Sequence, residues 1–439
     1  MKKTTYIYRH LARVLIEAET PLSIHSGESD IQTDALVVTD INGLPYIPGS
    51  SLAGVLRHSI AGDEELDVLF GFQKGSTGHG SQLIISDAVM IGKEGKAMDG
   101  IQLIDPHDAF YSHFLSMPIR QHVRITETGT ADDKGKFDGQ ITFKGTRFVF
   151  EMELISSKNE EDAFNKLLSQ MQSKDFRIGS GTRNGFGRIK CVSIKEKALD
   201  LEKDLSLYLS KSSDLSKEWE GYEPDTHSLV PSQDKWEEFD IHLCAEDFFL
   251  FGSGLSDDEA DMTPVSEDYI EWDNEKPVFK SGTVIPASSI KGALSHRTAF
   301  YWNKLNELFV DDKKGLTADQ NEAVAAIFGK AGEGMNSQSI TRGNILIDDI
   351  FIPVVEPKLL NHVSIDRFTG GALDGALFSE KASYGSGLNI ELHIIVKKSA
   401  LDESDSIRKA FESALDDLRK GMLPLGGGTN RGHGIFTTH

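Results

Sequence analysis

The amino-acid sequence predicts an α+β protein that consists of two tandem copies of a βαββαβ, ferredoxin-like domain. Two observations lead to this fold class. Five sequence landmarks occur twice in the same order along the 439 residues, which indicates an internal duplication. Within each copy, apolar patterns follow one another in the order strand, helix, strand, strand, helix, strand. A chain of this length accommodates two domains, each with its own core.

The first copy is predicted to span residues 1–195. Leu11–Glu19 alternates apolar and polar residues, as a half-buried strand does. Ser50 or Ser51 is placed to cap the helix that follows. Residues 92–145 show little periodicity and are predicted as long excursions. The remaining predicted elements are the strands 83–90, 146–154 and 187–193 and the helix 160–172.

The second copy is predicted to span residues 237–439. Residues 196–236, rich in Lys, Glu, Asp and Ser, separate the copies and are predicted as a linker that includes a helix near 199–211. Ser288 is predicted to cap the first helix of this copy. The loop 252–282 is longer than its counterpart and very acidic. The other predicted elements are the strands 238–250, 344–352 and 388–396 and the helix 406–420.

Charge and cysteine content narrow the class of protein. The net charge of −22 argues against a surface that clamps nucleic acid everywhere, but it leaves room for a local basic groove. The two cysteines, Cys191 and Cys244, cannot build a disulfide framework, so we expect a reducing cytoplasm. No stretch approaches the roughly 20 apolar residues of a membrane span.

Two glycine-rich loops, residues 177–189 and 426–434, are the most unusual part of the sequence. Glycine allows positive φ and a close approach of the backbone to a ligand, and Arg and Asn side chains offer donors suited to phosphate. The alternative is a structural turn whose glycines only allow close packing. The duplication favours a binding role. The residues concerned are Gly179, Gly181, Thr182, Arg183, Gly185, Arg188, Gly427, Gly428, Thr429 and Arg431.

The duplicated landmarks resemble the RAMP superfamily, and within it the RNA-binding backbone subunits of type III CRISPR effector complexes. With two units on one chain, the sequence looks like the fused tandem subunits of type III-D-like systems. The resemblance covers both domains but not residues 196–236. Besides the glycine loops, it is carried by IPGSSLAGVLR at 47–57, IPASSIKGAL at 285–294, HVRIT at 122–126 and HVSIDRFT at 362–369.

The resemblance implies that each domain is an RRM-like palm with an inserted β-hairpin thumb, formed from the excursions near 105–145 and 353–386. It implies that the protein binds guide CRISPR RNA and single-stranded target RNA, together with other effector subunits. The thumb would kink the guide–target duplex at regular intervals. Target RNA would then be cleaved beside each kink with the help of a divalent cation, Mg²⁺ or Mn²⁺.

Other candidates for RNA contact lie at the helix starts and at the thumbs. A helix N-terminus is a natural phosphate site, although the serines there can also serve only as caps. Arg side chains at the thumbs suit phosphate contact and stacking on a kinked duplex, although the hairpins can also simply pack on their own domains. These candidates are Ser50, Ser51, Arg57, Arg124, Ser288, Ser289, Lys291 and Arg367.

Asp34 is the predicted catalytic residue and metal ligand of the first copy, because the resemblance places a catalytic aspartate between the first strand and the first helix. A carboxylate there can hold Mg²⁺ against a phosphate or position a 2′-hydroxyl for in-line attack. In the second copy the matching residue is Asp261. The alternatives that stay open are Asp30 and Asp40 in the first copy, and Asp268 and residues 257–259 in the second.

Two other functions are compatible with the sequence. A purely structural subunit would bind guide RNA through the same loops without cleaving anything. A guide-processing endoribonuclease of the same superfamily would more naturally use His as general acid or base. Such an enzyme would cleave precursor RNA as a free protein and without Mg²⁺.

Overall fold

The computed structural model describes residues 6–31, 33–126, 130–224, 235–273, 275–308, 320–330, 340–385 and 387–438. It is a mixed α+β structure in which every strand pairing between named strands is antiparallel. Within these ranges, no helix has the length and apolar character needed to cross a bilayer.

The first half of the chain contains ten strands and five α-helices in its described residues. They are β1 (Tyr8–Ala18), α1 (Gly49–Ser59), α2 (Glu64–Asp67), β2 (Phe72–Lys74), β3 (Thr77–His79), β4 (Leu83–Ile85), β5 (Val89–Met90), α3 (Tyr111–Phe114), β6 (Ile119–Ile125), β7 (Ala131–Gln140), β8 (Arg147–Ser156), α4 (Glu161–Met171), β9 (Ile189–Asp200), α5 (Leu201–Leu209) and β10 (Glu223–Pro224).

Strand β1 is central in the sheet of the first half. The strand order is β10-β9-β1-β8-β4, and β5 also pairs with β8. Alternate β1 residues such as Ala12, Val14 and Ile16 are fully buried, as the period of two in a half-buried strand requires. They share one core with Leu56 of α1 and Leu167 of α4, so both helices cover the sheet.

The second half repeats this plan with different loops. Its described elements are β11 (Trp236–Ala245), β12 (Phe248–Phe249), β13 (Ser266–Asp273), β14 (Lys276–Ile285), α6 (Ala287–Leu305), α7 (Glu322–Phe328), β15 (Ile345–Ile347), β16 (Ile350–Pro353), β17 (Pro357–Ile365), β18 (Ala372–Tyr384), β19 (Asn389–Lys397), α8 (Lys398–Leu401), α9 (Asp405–Arg419) and β20 (Phe436–Thr437).

The two central sheets have matching strand orders. In the second half the order is β15-β19-β11-β20. The first strand of that half, β11, lies between the strand that follows the hairpin, β19, and the last strand, β20. In the first half, β1 lies in the same way between β8 and β9. Helices α6 and α9 close the second core through residues such as Leu294 and Phe411.

Each half carries a long hairpin that lies outside its central sheet and precedes the next strand of that sheet. In the first half it is β6–β7, which we call hairpin 1, and in the second half it is β17–β18, which we call hairpin 2. Both lie within the excursions in which the sequence predicts thumbs. Their strands expose apolar side chains: Val123, Ile125 and Phe137 in hairpin 1, and Leu359, Val363, Ile365 and Leu377 in hairpin 2.

The segment predicted as a linker, residues 196–236, is packed on the first half as far as residue 224. Strand β9 continues to Asp200, which accepts a hydrogen bond from the backbone N–H of Glu202 and so caps α5. Trp219 is buried against Leu11 and Leu199. The polar composition predicted a linker, but these few apolar residues are enough to hold the segment. Residues 225–234 lie outside the described ranges.

The loop predicted as acidic, residues 252–282, contains a contact between the two halves of the chain. Its residues from 266 onward form the hairpin β13–β14, which reaches across to the first half. The backbone N–H of Ile270 donates to the carbonyl of Lys144 (2.8 Å), and the Trp272 indole donates to the carbonyl of Gly145 (2.7 Å). The ring of Phe279 stacks on His113 with centroids 3.8 Å apart. The two halves are therefore joined by a shared apolar contact.

Gly145 lies where this hairpin approaches most closely. Its φ is +85°, and a Cβ there would collide with the backbone carbonyl of Ile270. Gly43 is a matched control, because its φ is +76° and a Cβ there would meet nothing within 4 Å. Both Ala variants share the cost of a left-handed backbone, so the difference between them measures the collision.

We predict that Gly145→Ala destabilises the protein by about 2 kcal/mol more than Gly43→Ala does, which is the range of overpacking. The midpoint of thermal unfolding of the two purified variants gives the comparison. Limited proteolysis between the halves provides a second readout. Equal midpoints and equal proteolysis would contradict the inter-half contact.

Candidate functional site

Asp34 lies at the base of hairpin 1, in contact with strand β7. The backbone N–H of Asp138 donates to Asp34 Oδ2 (3.1 Å), and the backbone N–H of Asp34 donates in return to Asp138 Oδ1 (2.9 Å). Asp34 is exposed. The loop that follows β1 is therefore fixed to the hairpin while the Asp34 carboxylate stays open to solvent.

Asp261 holds the equivalent position in the second half. The backbone N–H of Ser379 donates to Asp261 Oδ2 (2.8 Å), and the Ser379 hydroxyl donates to the same oxygen (3.1 Å). Ser379 follows Phe378 in hairpin 2, as Asp138 follows Phe137 in hairpin 1. Both phenylalanines stack on a histidine of the opposite strand, His362 and His122 respectively. The two aspartates thus occupy corresponding places in the two halves.

The competing acidic residues take part in local structure. Asp40 closes a turn by accepting from the backbone N–H groups of Asn42 and Leu44, and Asp30 accepts from the N–H of Thr33. In the second half, Asp257 binds the Lys381 ammonium, and Asp268 accepts from the Ser281 hydroxyl. In the described contacts of Asp40, Asp257 and Asp268, no carboxylate accepts a backbone N–H from hairpin 1 or hairpin 2, whereas Asp34 and Asp261 do.

The first glycine loop packs closely on the segment after β1. The N–H of Ser180 donates to the carbonyl of Ser23 (2.7 Å), and the N–H of Gly187 donates to the carbonyl of Pro21 (3.0 Å). A Cβ on Gly179, whose φ is +89°, would come within 2.6 Å of the Ser23 carbonyl oxygen. Glycine is needed here because both the backbone angle and the close approach exclude a side chain.

The same loop also joins the two halves. Asp348, in the turn between β15 and β16, forms ion pairs with Arg177 and Arg188 (both 2.8 Å), and Arg188 also donates a hydrogen bond to it. Arg183 donates to the carbonyl of Gly343 (2.7 Å), and a Cβ on Gly185 would collide with Asp349. The sequence predicted Arg183 and Arg188 as RNA contacts. In the structure both bind within the protein, and their contact with RNA stays a prediction.

A buried arginine strengthens this junction. Arg120 of β6 donates to Glu267 (2.6 Å) and Asp349 (2.8 Å), and all three side chains are buried. Burial alone would lower the pKa of Arg120, but the two carboxylates outweigh it and hold the pKa above its ordinary value. Burial raises the pKa of Asp349, and Arg120 opposes this effect.

Three cationic side chains lie beside the junction, and no described carboxylate forms an ion pair with them. Arg342 donates to the Thr182 hydroxyl (3.2 Å) and lies 3.2 Å from the His58 ring. Burial, with Arg342 and Arg177 adding like charge, lowers the pKa of Arg183 to about 10. Burial, together with Arg183, lowers the pKa of Lys291 to about 8. Among the described residues, no carboxylate forms an ion pair with Arg183, Lys291 or Arg342. We call these three the seam cations.

The serines at the helix starts do not cap their helices, which corrects the prediction for Ser50, Ser51 and Ser288. Helix α1 begins at Gly49 and α6 at Ala287, and neither has a capping hydrogen bond from a side chain of its N-cap residue. Carboxylates of the neighbouring strand ends take that place instead. Asp87 accepts from the N–H of Gly49 (2.7 Å) and Asp349 from the N–H of Ala287 (2.8 Å).

Because a carboxylate already serves each helix start, the serine hydroxyls are not needed there. In the described part of the chain, no hydrogen bond involves the side chains of Ser50, Ser51, Ser288 or Ser289. Lys291 lies in the first turns of α6, near Ser288 and Ser289 in sequence. The Ser288 and Ser289 hydroxyls are thus potential donors at the start of the helix that carries Lys291.

The second glycine loop binds its own hairpin. Arg431 donates to the fully buried carboxylate of Glu380 in hairpin 2 (2.6 Å), and His362 lies 2.9 Å from the same carboxylate. The N–H of Gly427 donates to the carbonyl of Leu250 (2.7 Å). The predicted RNA contact of Arg431 therefore competes with an internal ion pair. Gly428 has a φ of +69° and precedes a 3-10 turn that begins at Thr429.

The remaining predicted residues lie apart from the junction. Arg57 pairs with Asp67 on the surface. Arg124 is exposed on hairpin 1, and Arg367 is exposed at the tip of hairpin 2. The sequence analysis missed Arg342, Arg120 and Asp138. An alignment of the two halves on Phe137 and Phe378 would have paired Asp138 with Ser379, but no pattern marks Arg342 or Arg120.

Comparison with known proteins agrees with the duplicated architecture. No curated protein matches the chain. The model of the RAMP superfamily matches two separate regions, residues 15–190 and 273–437, which together are more than half of the chain. The first region contains hairpin 1 and the first glycine loop, and the second region contains hairpin 2 and the second glycine loop. This tandem protein therefore belongs to the RAMP superfamily, which indicates a CRISPR-associated RNA-binding subunit.

Proposed function

We propose that the protein is a guide-RNA-binding backbone subunit of a type III CRISPR ribonucleoprotein, and that it cleaves bound target RNA with Asp34 and Asp261. The observation that carries this proposal is the equivalent placement of the two aspartates, each fixed to the base of an exposed hairpin. The fused tandem form supports a type III-D-like complex. We expect the protein to act in the cytoplasm, together with the other subunits of that complex.

The sheet topology supports the assignment of each half as an RRM-like palm. When the four main strands of each half are numbered in chain order, the sheet order is 4-1-3-2 in both, as in ferredoxin-like domains. The hairpins would then serve as thumbs. Their exposed Val123, Phe137, Val363 and Leu377 offer apolar surface against which an unstacked base step can rest.

The seam cations support guide binding across the junction of the halves. Arg183 comes from the first half, whereas Lys291 and Arg342 come from the second, so a phosphate there would be held by both. Unpaired like charges repel one another, and a phosphate would relieve this repulsion while accepting charge-assisted hydrogen bonds. Such contacts bind the backbone of RNA and do not read its sequence.

The residues at the hairpin bases fit a divalent cation. Asp34 Oδ1 and Asp138 Oδ2 make no hydrogen bond to any described residue, and carboxylate oxygens are the ligands that Mg²⁺ and Mn²⁺ prefer. Asp34 would hold the cation in the first half, and Asp261 in the second. When bound, the cation would supply positive charge that stabilises the charge developing on the scissile phosphate.

The protein's own part in the reaction is orientation. Asp34, held by the backbone N–H of Asp138, would accept a hydrogen bond from the attacking 2′-hydroxyl beside hairpin 1 and so orient it, while the hairpin bends the target strand. The 2′-hydroxyl of the preceding nucleotide then lies in line with phosphorus and attacks it. The new O–P bond gives a 2′,3′-cyclic phosphate, and the broken bond leaves a 5′-hydroxyl end. The Asp261 site would act in the same way beside hairpin 2.

We predict that Asp34→Ala removes one set of cleavage products and Asp261→Ala another, because each variant lacks the carboxylate at one hairpin base. Guide content and target binding are expected to survive in both variants. The measurement is the mapping of cut sites on an end-labelled target RNA by the guide-bearing complex in Mg²⁺. Asp162→Ala, on the exposed face of α4, is the control.

Unchanged cleavage at every position in Asp34→Ala would contradict the assignment. Addition of a chelator separates the other functions. Cleavage of the target should stop, whereas a histidine-based guide-processing nuclease would continue to cut precursor RNA. A complex that never cuts target in Mg²⁺ or Mn²⁺ would support a purely structural subunit.

We also predict a pH dependence of RNA affinity that Lys291 causes. With a pKa of about 8 in the free protein, Lys291 is cationic at pH 7 and becomes neutral as the pH rises through 8 towards 9. Its phosphate contact weakens in that direction. The loss is expected to be about fivefold, the factor that corresponds to roughly 1 kcal/mol.

Lys291→Arg should remove most of this pH dependence, because a guanidinium keeps its charge across the range. Fluorescence anisotropy with a labelled single-stranded RNA, at constant ionic strength, measures both proteins from pH 7 to 9. Parallel curves for the two proteins would exclude Lys291 from the RNA contact.

A further inference from the structure

We infer that Asp138 is a second carboxylate of the first cleavage site, and that the two sites of this chain therefore bind a divalent cation with unequal affinity. The inference rests on the proposed function, since it concerns the cation that Asp34 would hold. It adds a residue to one site and a difference between the two sites. The contacts of Asp34, Asp138, Asp261 and Ser379 carry it.

The two carboxylates of the first site are held in a reciprocal arrangement. Each one accepts a single backbone N–H of the other residue, Asp34 through Oδ2 (3.1 Å) and Asp138 through Oδ1 (2.9 Å). In the described ranges, the second oxygen of each carboxylate accepts no hydrogen bond. Because each carboxylate binds the backbone of the other residue, the Asp34 and Asp138 side chains lie next to each other at the base of hairpin 1.

This region lacks the charge compensation seen elsewhere in the protein. The Asp257 carboxylate, by contrast, forms an ion pair with Lys381 of hairpin 2. In the described ranges, neither Asp34 nor Asp138 forms an ion pair with a Lys or Arg. Two adjacent anions without a counter-charge repel each other, and a divalent cation that both coordinate would offset that repulsion.

The second site has only half of this arrangement. Ser379 stands where the first half has Asp138, and it donates both its backbone N–H and its hydroxyl to Asp261 Oδ2. This pair has a single carboxylate, and Asp261 Oδ1 accepts no hydrogen bond from a described residue. A site with one carboxylate binds a hard divalent cation more weakly than a site with two, because charge count sets much of the affinity.

A different role for Asp138 is purely mechanical, and two substitutions separate the roles. Asp138→Asn keeps an oxygen that can accept the N–H of Asp34, but it removes the charge. Asp138→Ala removes both. If Asp138 only positions the loop, Asn should behave as the wild type and Ala should not. If Asp138 contributes its charge to the cation, both variants should lose affinity.

The direct test is Mn²⁺ binding to the full-length protein, followed by the loss of the free-ion electron paramagnetic resonance signal at about 0.15 M KCl, which screens weak surface binding. We expect Asp138→Asn to weaken the tightest Mn²⁺ site by about tenfold or more, the range typical of lost metal-site support. Ser379→Asp should strengthen binding at the second site by a similar factor, and Ser379→Asn should not. Thermal unfolding of each variant confirms that it is folded.

Wild-type affinity in Asp138→Asn, with or without a loss in Asp138→Ala, would overturn the inference. So would a Ser379→Asp variant that binds Mn²⁺ no better than Ser379→Asn. In cleavage assays, product from the Asp34 site should reach half of its maximum at a lower Mg²⁺ concentration than product from the Asp261 site. Asp138→Asn should remove that difference.

The test also separates this inference from the proposed function. If Asp34→Ala removes its cleavage product while Asp138→Asn binds Mn²⁺ as the wild type does, the inference alone fails. If Asp34→Ala leaves every product in place, the proposed function fails, and the inference about the cleavage site fails with it.

Discussion

One buried guanidinium holds together the parts of the protein on which the proposed sites depend. Arg120, at the start of hairpin 1, binds Glu267 of β13 and Asp349 beside the start of α6. Asp349 in turn accepts the first N–H of α6. Removing one partner from such a buried network typically destabilises a protein by about 3–5 kcal/mol, because the other charges stay buried and unpaired. Hairpin, palm and neighbouring half are therefore fixed together.

The junction between the halves matters for function because the duplication gives the chain two hairpin bases. Two separate halves would present two independent hairpin bases, whereas two joined halves present them in a fixed relation to each other. The first glycine loop contributes to the joint through Arg177 and Arg188, and the second closes on hairpin 2 through Arg431. The two glycine loops thus have different structural roles. The first joins the two halves, and the second binds the hairpin of its own half.

The sequence predicted the repeated architecture, because the landmarks that mark it occur twice, whereas Asp34 and Asp261 came from the resemblance and their catalytic role stays a prediction. It predicted the helix caps wrongly, since Asp87 and Asp349 come from strands distant in sequence from the helices that they serve. It also treated residues 196–236 and 252–282 as linker and acidic loop. In both, a few apolar residues such as Trp219 and Ile270 outweigh the polar majority once they reach a core.

The central claim is that RNA crosses the joint between the two halves and is held there by residues from both. Ultraviolet crosslinking of bound RNA to the intact complex, with the crosslinked peptides identified by mass spectrometry, tests it most directly. The account predicts crosslinks to the loop that contains Arg183, to the start of α6 around Lys291, and to Arg342. Crosslinks confined to surfaces away from this joint, with the joint itself unmodified, would contradict it.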